Sequence, residues 1–117
     1  MLSDLQALAA LNEPTLLEAA RVFAQRVLTE GGKNQDAQLE FAYCHCVGRP
    51  PTRAERDRLR AFLEQQLKSF RRDAPGAESL ISIGTAERPA KIDSRQLAAW
   101  MMVANVLFNL DETLTKG

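Results

Sequence analysis

The cluster Cys44, His45 and Cys46 is the one place in the sequence where thiol and imidazole groups are adjacent. Thiolate and imidazole are ligands that zinc and copper prefer. Consecutive helical residues point about 100° apart, so these side chains cannot converge on one ion, and the two sulfurs should not bond to each other. We therefore predict no metal site. Cys44, as an exposed reactive thiol or intermolecular bridge, and His45, as an axial haem ligand, remain weak candidates.

A second group that could do chemistry is the run of basic residues between positions 53 and 73. A phosphate-binding face would need these charges on one side of a helix, with an aromatic platform or a glycine loop beside them. Here carboxylates alternate with the basic residues around the helix, which predicts an ordinary solvated surface. The whole chain has 15 basic and 15 acidic residues. Without a net field to attract a polyanion, we expect no nucleic-acid partner.

Two further patterns resemble functional sites but favour structural roles. Asp111 and Glu112 could be paired carboxylates for hydrolysis, yet adjacent helical positions point apart and no histidine accompanies them. Met101 and Met102 beside Trp100 could suggest a cofactor site, but in so apolar a segment methionine usually fills the core. We therefore predict no catalytic residue and no cofactor.

The elements that must position these residues are all predicted to be helices. A chain of 117 residues with 45% apolar composition is long enough for one domain with a buried core. Hydrophobic spacing predicts an all-α fold, a compact orthogonal or bundle-like array of about four to five helices, over residues 1–117. The predicted helices cover about residues 3–11, 13–30, 52–73 and 93 to at least 110. One more helix begins near Asn34 or Asp36, each a capable cap, and is closed by Gly48. The longest apolar stretch, residues 97–110, is too short to span a membrane and predicts a buried central helix.

Caps and turns provide the clearest local signals. Thr52 and Glu55 have the spacing of a capping box, in which each side chain bonds the other residue's backbone N–H. Asp93 and Gln96 have the same spacing. The residues predicted as caps or turns are Asn12, Pro14, Gly48, Pro50, Pro51, Thr52, Glu55 and Asp93.

Burial follows from the same periodicity. In the helix over residues 13–30, one apolar stripe is predicted to be a core face, and Arg21 falls outside it. In the next helix, Leu39, Ala42, Tyr43, Cys46 and Val47 form the predicted buried side. Cys44 and His45 then lie at its flank or in solvent, and Cys46 is expected in the core. In the helix over residues 52–73, the predicted apolar side consists of Leu59, Phe62, Leu63, Leu67 and Phe70. The segment near residues 75–93 is predicted to be irregular, and its apolar residues Leu80, Ile81 and Ile83 fit either a helical turn or an extended plug.

Three sequence blocks, in order, are similar to one known family. They are LQALAALNEP at residues 5–14, GRPPT at 48–52, and the stretch from Trp100 that ends in NLDE at 109–112. The chain resembles the C-terminal part of the planctomycete-type domain of unknown function. That domain lies at the end of large secreted proteins that often carry a planctomycete cytochrome-c-like domain and a second uncharacterised domain. Val47 stands where the family pattern has leucine and Thr113 where it has phenylalanine.

The resemblance indicates what kind of larger protein the chain comes from, but it indicates no catalytic activity, since the family has no established activity. It implies that the chain is part of a longer bacterial protein, exported or at the cell surface, whose haem, if any, lies in another domain. Our leading hypothesis is a structural or interaction module with no activity of its own, whose partners are other domains of the same parent chain. The alternative is that the chain contributes part of an enzyme or redox site in the full-length protein. That alternative requires His45 and a charged neighbour to meet on a concave surface.

Overall fold

The computed structural model describes the backbone of residues 14–82 and 92–116, and the side chains of residues 16–82 and 92–110. These ranges contain five helices and no strand, which confirms the all-α prediction. The helices are α1 (Pro14–Glu30), α2 (Gln35–Val47), α3 (Arg53–Arg72), α4 (Ala74–Ile81) and α5 (Ser94–Lys116). The expected helix over residues 3–11 and the cap Asn12 lie outside the described residues, and so does the side chain of Thr113. None of the helices in these ranges combines the length and apolar content that a bilayer crossing needs.

Helix α2 begins and ends at residues that the sequence marks as caps. Asn34 Oδ1 accepts a hydrogen bond of 2.8 Å from the backbone N–H of Ala37, which satisfies one of the free donors of the first turn. At the other end Gly48 adopts the left-handed conformation, with φ of 87°, and its N–H donates to Cys44 O. Glycine reaches this region without the steric penalty that a Cβ brings.

Helix α3 begins with the predicted capping box. Thr52 Oγ1 accepts from the Glu55 N–H at 3.2 Å, and Glu55 Oε1 accepts from the Thr52 N–H at 2.8 Å. The helix ends at Arg72. Leu59 and Leu63 are its buried residues, so the predicted apolar side faces the core.

The segment predicted as irregular begins with the short helix α4. Asp73 closes α3 and also caps α4, because its Oδ1 accepts from the Gly76 N–H at 3.0 Å. Pro75 lies in the first turn, where its missing N–H removes no helical hydrogen bond. Ala77 and Ile81 are buried, so of the two conformations left open for Leu80 and Ile81 the helical one is correct. Residues 83–91, including Ile83, lie outside the described residues.

Helix α5 is the centre of the fold and contacts each of the other four helices. Asp93 begins it, with Oδ1 accepting from the Arg95 N–H at 3.0 Å. Every residue from Leu97 to Asn105 is buried, including Trp100, Met101 and Met102, as predicted for core residues. Burial of each large side chain contributes about 1.5–3 kcal/mol, so this segment dominates the stability of the fold.

Arg21 on α1 is buried outside the apolar stripe. It is only 2% exposed, although the periodicity places it outside the apolar stripe. Its Nη1 donates a hydrogen bond of 2.6 Å to the main-chain oxygen of Ile81, at the C-terminal end of α4. The last carbonyls of a helix lack partners within the helix and carry partial negative charge, so a buried guanidinium is a favourable partner for one of them.

Candidate functional site

The side chains of Cys44, His45 and Cys46 do not converge on one point in the structure. His45 is exposed, and its ring stacks on Phe41 with centroids 4.1 Å apart. His45 Nδ1 lies 3.0 Å from the carbonyl oxygen of Phe41, and it is the donor because a carbonyl only accepts. Among residues 16–82 and 92–110, no three His, Cys, Asp or Glu side chains are grouped so that they could hold a metal ion.

The two cysteines do not differ in burial as expected. Neither forms a disulfide, and both are half-buried. Cys46 packs against the core from its edge rather than inside it, because α2 ends one residue later and its last turn is only partly covered. Cys44 is expected at the flank of α2 or in solvent, and its half-buried position fits the flank. The expectation of Cys46 in the core holds only in part, because Cys46 packs against the core from the edge.

A polar cluster that the sequence did not predict surrounds the turn between α2 and α3. Arg49 donates from Nη1 to Glu55 Oε1 and from Nη2 to Glu55 Oε2, both at 2.9 Å, in a bidentate pair. Arg49 Nη1 also donates to Pro50 O at 3.1 Å. Two charge-assisted bonds in this planar geometry fix both side chains, so the pair holds the Pro50 and Pro51 turn against the start of α3.

Tyr43 joins this cluster from α2. Its hydroxyl oxygen accepts a hydrogen bond of 3.2 Å from Arg49 Nη2, and the guanidinium carbon lies 5.3 Å from the centre of its ring, a cation–π distance. Burial, followed by the nearby Glu55 carboxylate, raises the pKa of Tyr43, so the phenol stays neutral.

Glu55 is held in its charged form by the same contacts. The hydrogen bonds from Arg49, followed by the backbone N–H of Thr52, lower its pKa far below the ordinary value of 4.5. A carboxylate with so low a pKa is a poor general base, because it binds protons weakly near neutral pH. The cluster Tyr43, Arg49 and Glu55 is therefore suited to fastening the turn rather than to transferring protons.

A groove of about 320 Å³ lies beside this cluster and is the best candidate for a binding site. Three helices line it: α2 through Tyr43, α3 through four residues, and α5 through two. The α3 and α5 lining residues are Glu55, Arg58, Leu59, Phe62, Val106 and Leu110. Leu110 is one of the two large apolar residues that the described part of the chain exposes, at 39%.

The charge of the groove is set by Arg58. The two charged residues that line the groove are Glu55 and Arg58, and the charge of Glu55 is already neutralised by Arg49. Arg58 is exposed, and no ion pair to it is formed within the described residues. The nearby α3 carboxylate Asp57 is paired elsewhere, since Arg60 bridges Asp57 and Asp36. The groove therefore combines an apolar floor with one uncompensated positive charge.

Two other depressions are weaker candidates. One, beside the exposed Val22 (41%), is lined only by residues of α1, so it is a shallow surface between successive turns. The other lies between the start of α2 and the second half of α3, where Glu64, Lys68 and Arg71 have mixed charges. Neither these depressions nor the groove is lined by Cys44 or His45.

The sequence predicted some residues of the groove but not their association. Tyr43, Leu59 and Phe62 were expected on apolar helix faces, and Glu55 was expected in the capping box. Arg49 and Arg58 were missed as individual residues. The position of Arg49 immediately before two prolines, with Glu55 three residues after the cap, is a signal that could have indicated the bidentate pair.

Comparison with known proteins agrees with the resemblance described above. A family model described as "PSD1: Protein of unknown function (DUF1553)" matches residues 2–63. This range contains the LQALAALNEP and GRPPT blocks, whereas the block from Trp100 to Glu112 lies beyond it. No curated protein and no solved structure matches the chain. Since the match covers more than half of the 117 residues, the chain belongs to the PSD1 family of proteins of unknown function (DUF1553).

Proposed function

We propose that the chain is a structural or interaction module of a larger secreted bacterial multidomain protein. In this proposal it packs against other domains of that protein and has no catalytic activity of its own. The observation that carries the proposal is the groove between α2, α3 and α5, where Leu59, Phe62, Val106 and Leu110 form a lining that a partner could cover. Exposed apolar surface with a polar rim is typical of interaction sites.

The polar residues beside the groove make structural contacts within the chain, which favours the same function. The GRPPT block is occupied by internal contacts: Gly48 ends α2, Arg49 binds Glu55, and Thr52 caps α3. Catalysis requires a nucleophile, base or acid that is free to meet a substrate in a concave site. Here the polar groups next to the groove stabilise the fold, and the groove itself offers apolar area and Arg58.

The proposal predicts direct binding between this chain and the rest of the larger protein. We would express the two separately and measure their association by isothermal titration calorimetry. Binding should occur with a negative heat-capacity change, because apolar surface is buried. Absence of binding at about 100 μM, a concentration at which interactions of about 5.5 kcal/mol or stronger are detected, would contradict the proposal if both parts are folded.

A matched pair of variants identifies the surface. Leu110→Asp places a charge in the groove, whereas Val22→Asp places one at a site of nearly equal exposure on α1. We expect Leu110→Asp to weaken binding about tenfold or more and Val22→Asp to leave it unchanged, since burying an unpaired carboxylate is unfavourable. Circular dichroism confirms that both variants remain helical. The reverse order of effects would place the interface on α1 and would contradict the assignment to the groove.

A further inference from the structure

The lining of the groove indicates the shape of its occupant. On α3, Glu55, Arg58, Leu59 and Phe62 recur with the i, i+3, i+4 and i+7 spacing of a single helix face. On α5, Val106 and Leu110 are one turn apart and lie on one face as well. Two helices that present such faces to the same groove form ridges, between which the ridge of a third helix packs. An amphipathic helix therefore fits this surface better than an extended strand, which would need a free sheet edge.

The charge of the groove indicates the chemistry of that helix. An occupant that covers the groove removes water from Arg58, and a guanidinium without water or a carboxylate is strongly unfavourable. Glu55 does not supply the carboxylate, because both of its oxygens accept from Arg49 and one also accepts from the Thr52 N–H. A neutral or basic occupant would leave Arg58 uncompensated, whereas an acidic one would pair with it.

We propose that the groove between α2, α3 and α5 binds an acidic amphipathic helix from a neighbouring domain, with a carboxylate that pairs with Arg58 and apolar side chains that pack on Phe62 and Leu110. This inference rests on the proposed function and adds the chemical class of the partner. The carboxylate and the apolar anchors belong on one face of the occupant, three or four residues apart, because Arg58 and Phe62 are themselves one turn apart.

The substitution Arg58→Lys makes the carboxylate of the bound helix detectable by chemical cross-linking. The substitution keeps the positive charge and supplies a primary amine, which a carbodiimide couples directly to a carboxylate that is in contact with it. The experiment uses the larger protein, followed by peptide mass spectrometry. Arg53→Lys is the matched control, because Arg53 is exposed on the same helix but does not line the groove.

We expect Arg58→Lys to give a cross-link to an Asp or Glu of another domain, at least fivefold more abundant than any cross-link in Arg53→Lys. Adding Leu110→Asp should reduce its yield by at least half. Equal yields at the two positions, a cross-link only to Glu55, or a cross-link between two copies of this chain would each overturn the proposal. If calorimetry shows that the parts associate and this cross-link is absent, the acidic partner is wrong and the module function stands. Absence of association itself would contradict the proposed function.

Discussion

Arg21 Nη1 donates a hydrogen bond of 2.6 Å to the main-chain oxygen of Ile81, sixty residues further along the chain. The bond joins the middle of α1 to the C-terminal end of α4, and Arg21 is almost completely buried. A buried acceptor that loses its donor is left desolvated and unpaired. Arg21 therefore holds the short helix α4 in place, although its charge suggests a surface residue.

Arg21→Met tests this role while keeping most of the side-chain volume. We expect the free energy of unfolding to fall by about 2–3 kcal/mol, because the Ile81 carbonyl loses a charged donor in a buried position. Arg26→Met is the control on the same helix: Arg26 is exposed and 3.5 Å from Glu30, so its loss should change stability by less than about 0.5 kcal/mol. Urea denaturation provides both values. Equal effects of the two variants would show that the Arg21 contact contributes nothing beyond a surface pair.

Gly48 provides a test of backbone conformation alone. An added Cβ would meet no atom within 4 Å, so a substitution introduces no clash with other residues. The left-handed φ of 87° still disfavours an L-residue, and Gly48→Ala should lower stability by about 1 kcal/mol. Gly48→Asn should lower it less, because asparagine tolerates this region. A Gly48→Ala protein as stable as wild type would show that the turn does not require this conformation.

The Arg49 and Glu55 pair predicts a pH dependence. The pKa of Glu55 is lower in the folded chain than its ordinary value of 4.5 in the unfolded chain. The unfolded state therefore binds the proton more readily, so the stabilisation is present above about pH 4.5 and is lost as the pH falls below it. Thermal unfolding followed between about pH 6 and about pH 3 should show this loss in the wild type.

Arg49→Met should reduce that pH dependence, because the main group that lowers the Glu55 pKa is removed. Its melting temperature should also be lower near neutral pH, and the two curves should approach each other toward pH 3. Arg53→Met removes an exposed arginine and should keep the wild-type pH profile. If Arg49→Met and wild type lose stability in parallel, Glu55 is not the group that links this pair to pH.

Substitutions at two positions of α5, three residues apart, should lower the stability of the fold by very different amounts. Leu107 is fully buried, and Leu107→Ala should cost about 2–5 kcal/mol through lost apolar contacts and a residual cavity. Leu110 is 39% exposed, and Leu110→Ala should cost about 1 kcal/mol or less. Chemical denaturation of the two variants measures the difference. Similar losses would mean that Leu110 belongs to the core and not to a docking surface.

The helices could be predicted well from the sequence because their signals are local. Asn34, Gly48 and the Thr52 and Glu55 capping box act within three or four residues of the helix ends they define. The burial of α5 follows in the same way from its apolar residues, which cover most of its circumference. Helix α4 was missed because Pro75 and Gly76 are typical of turns, although Asp73 followed by Pro75 is also a helix start.

The groove and the buried arginine could not be predicted because both depend on contacts distant in sequence. Arg21 falls off the apolar stripe of α1, and nothing near it in sequence indicates that Ile81 supplies an acceptor. The groove requires α5 to lie beside α2 and α3, which brings Val106 and Leu110 next to Tyr43. Periodicity shows which side of a helix is apolar but not which neighbour covers it.

Hydroxyl-radical footprinting shows whether the groove is covered, because it measures side-chain exposure in the isolated chain and in the larger protein. We expect Phe62 and Leu110 to be oxidised in the isolated chain and protected at least threefold in the larger protein, while Val22 changes little. Unchanged oxidation of Phe62 and Leu110 in the larger protein would show that the groove is not covered and would contradict the proposal of a packing module.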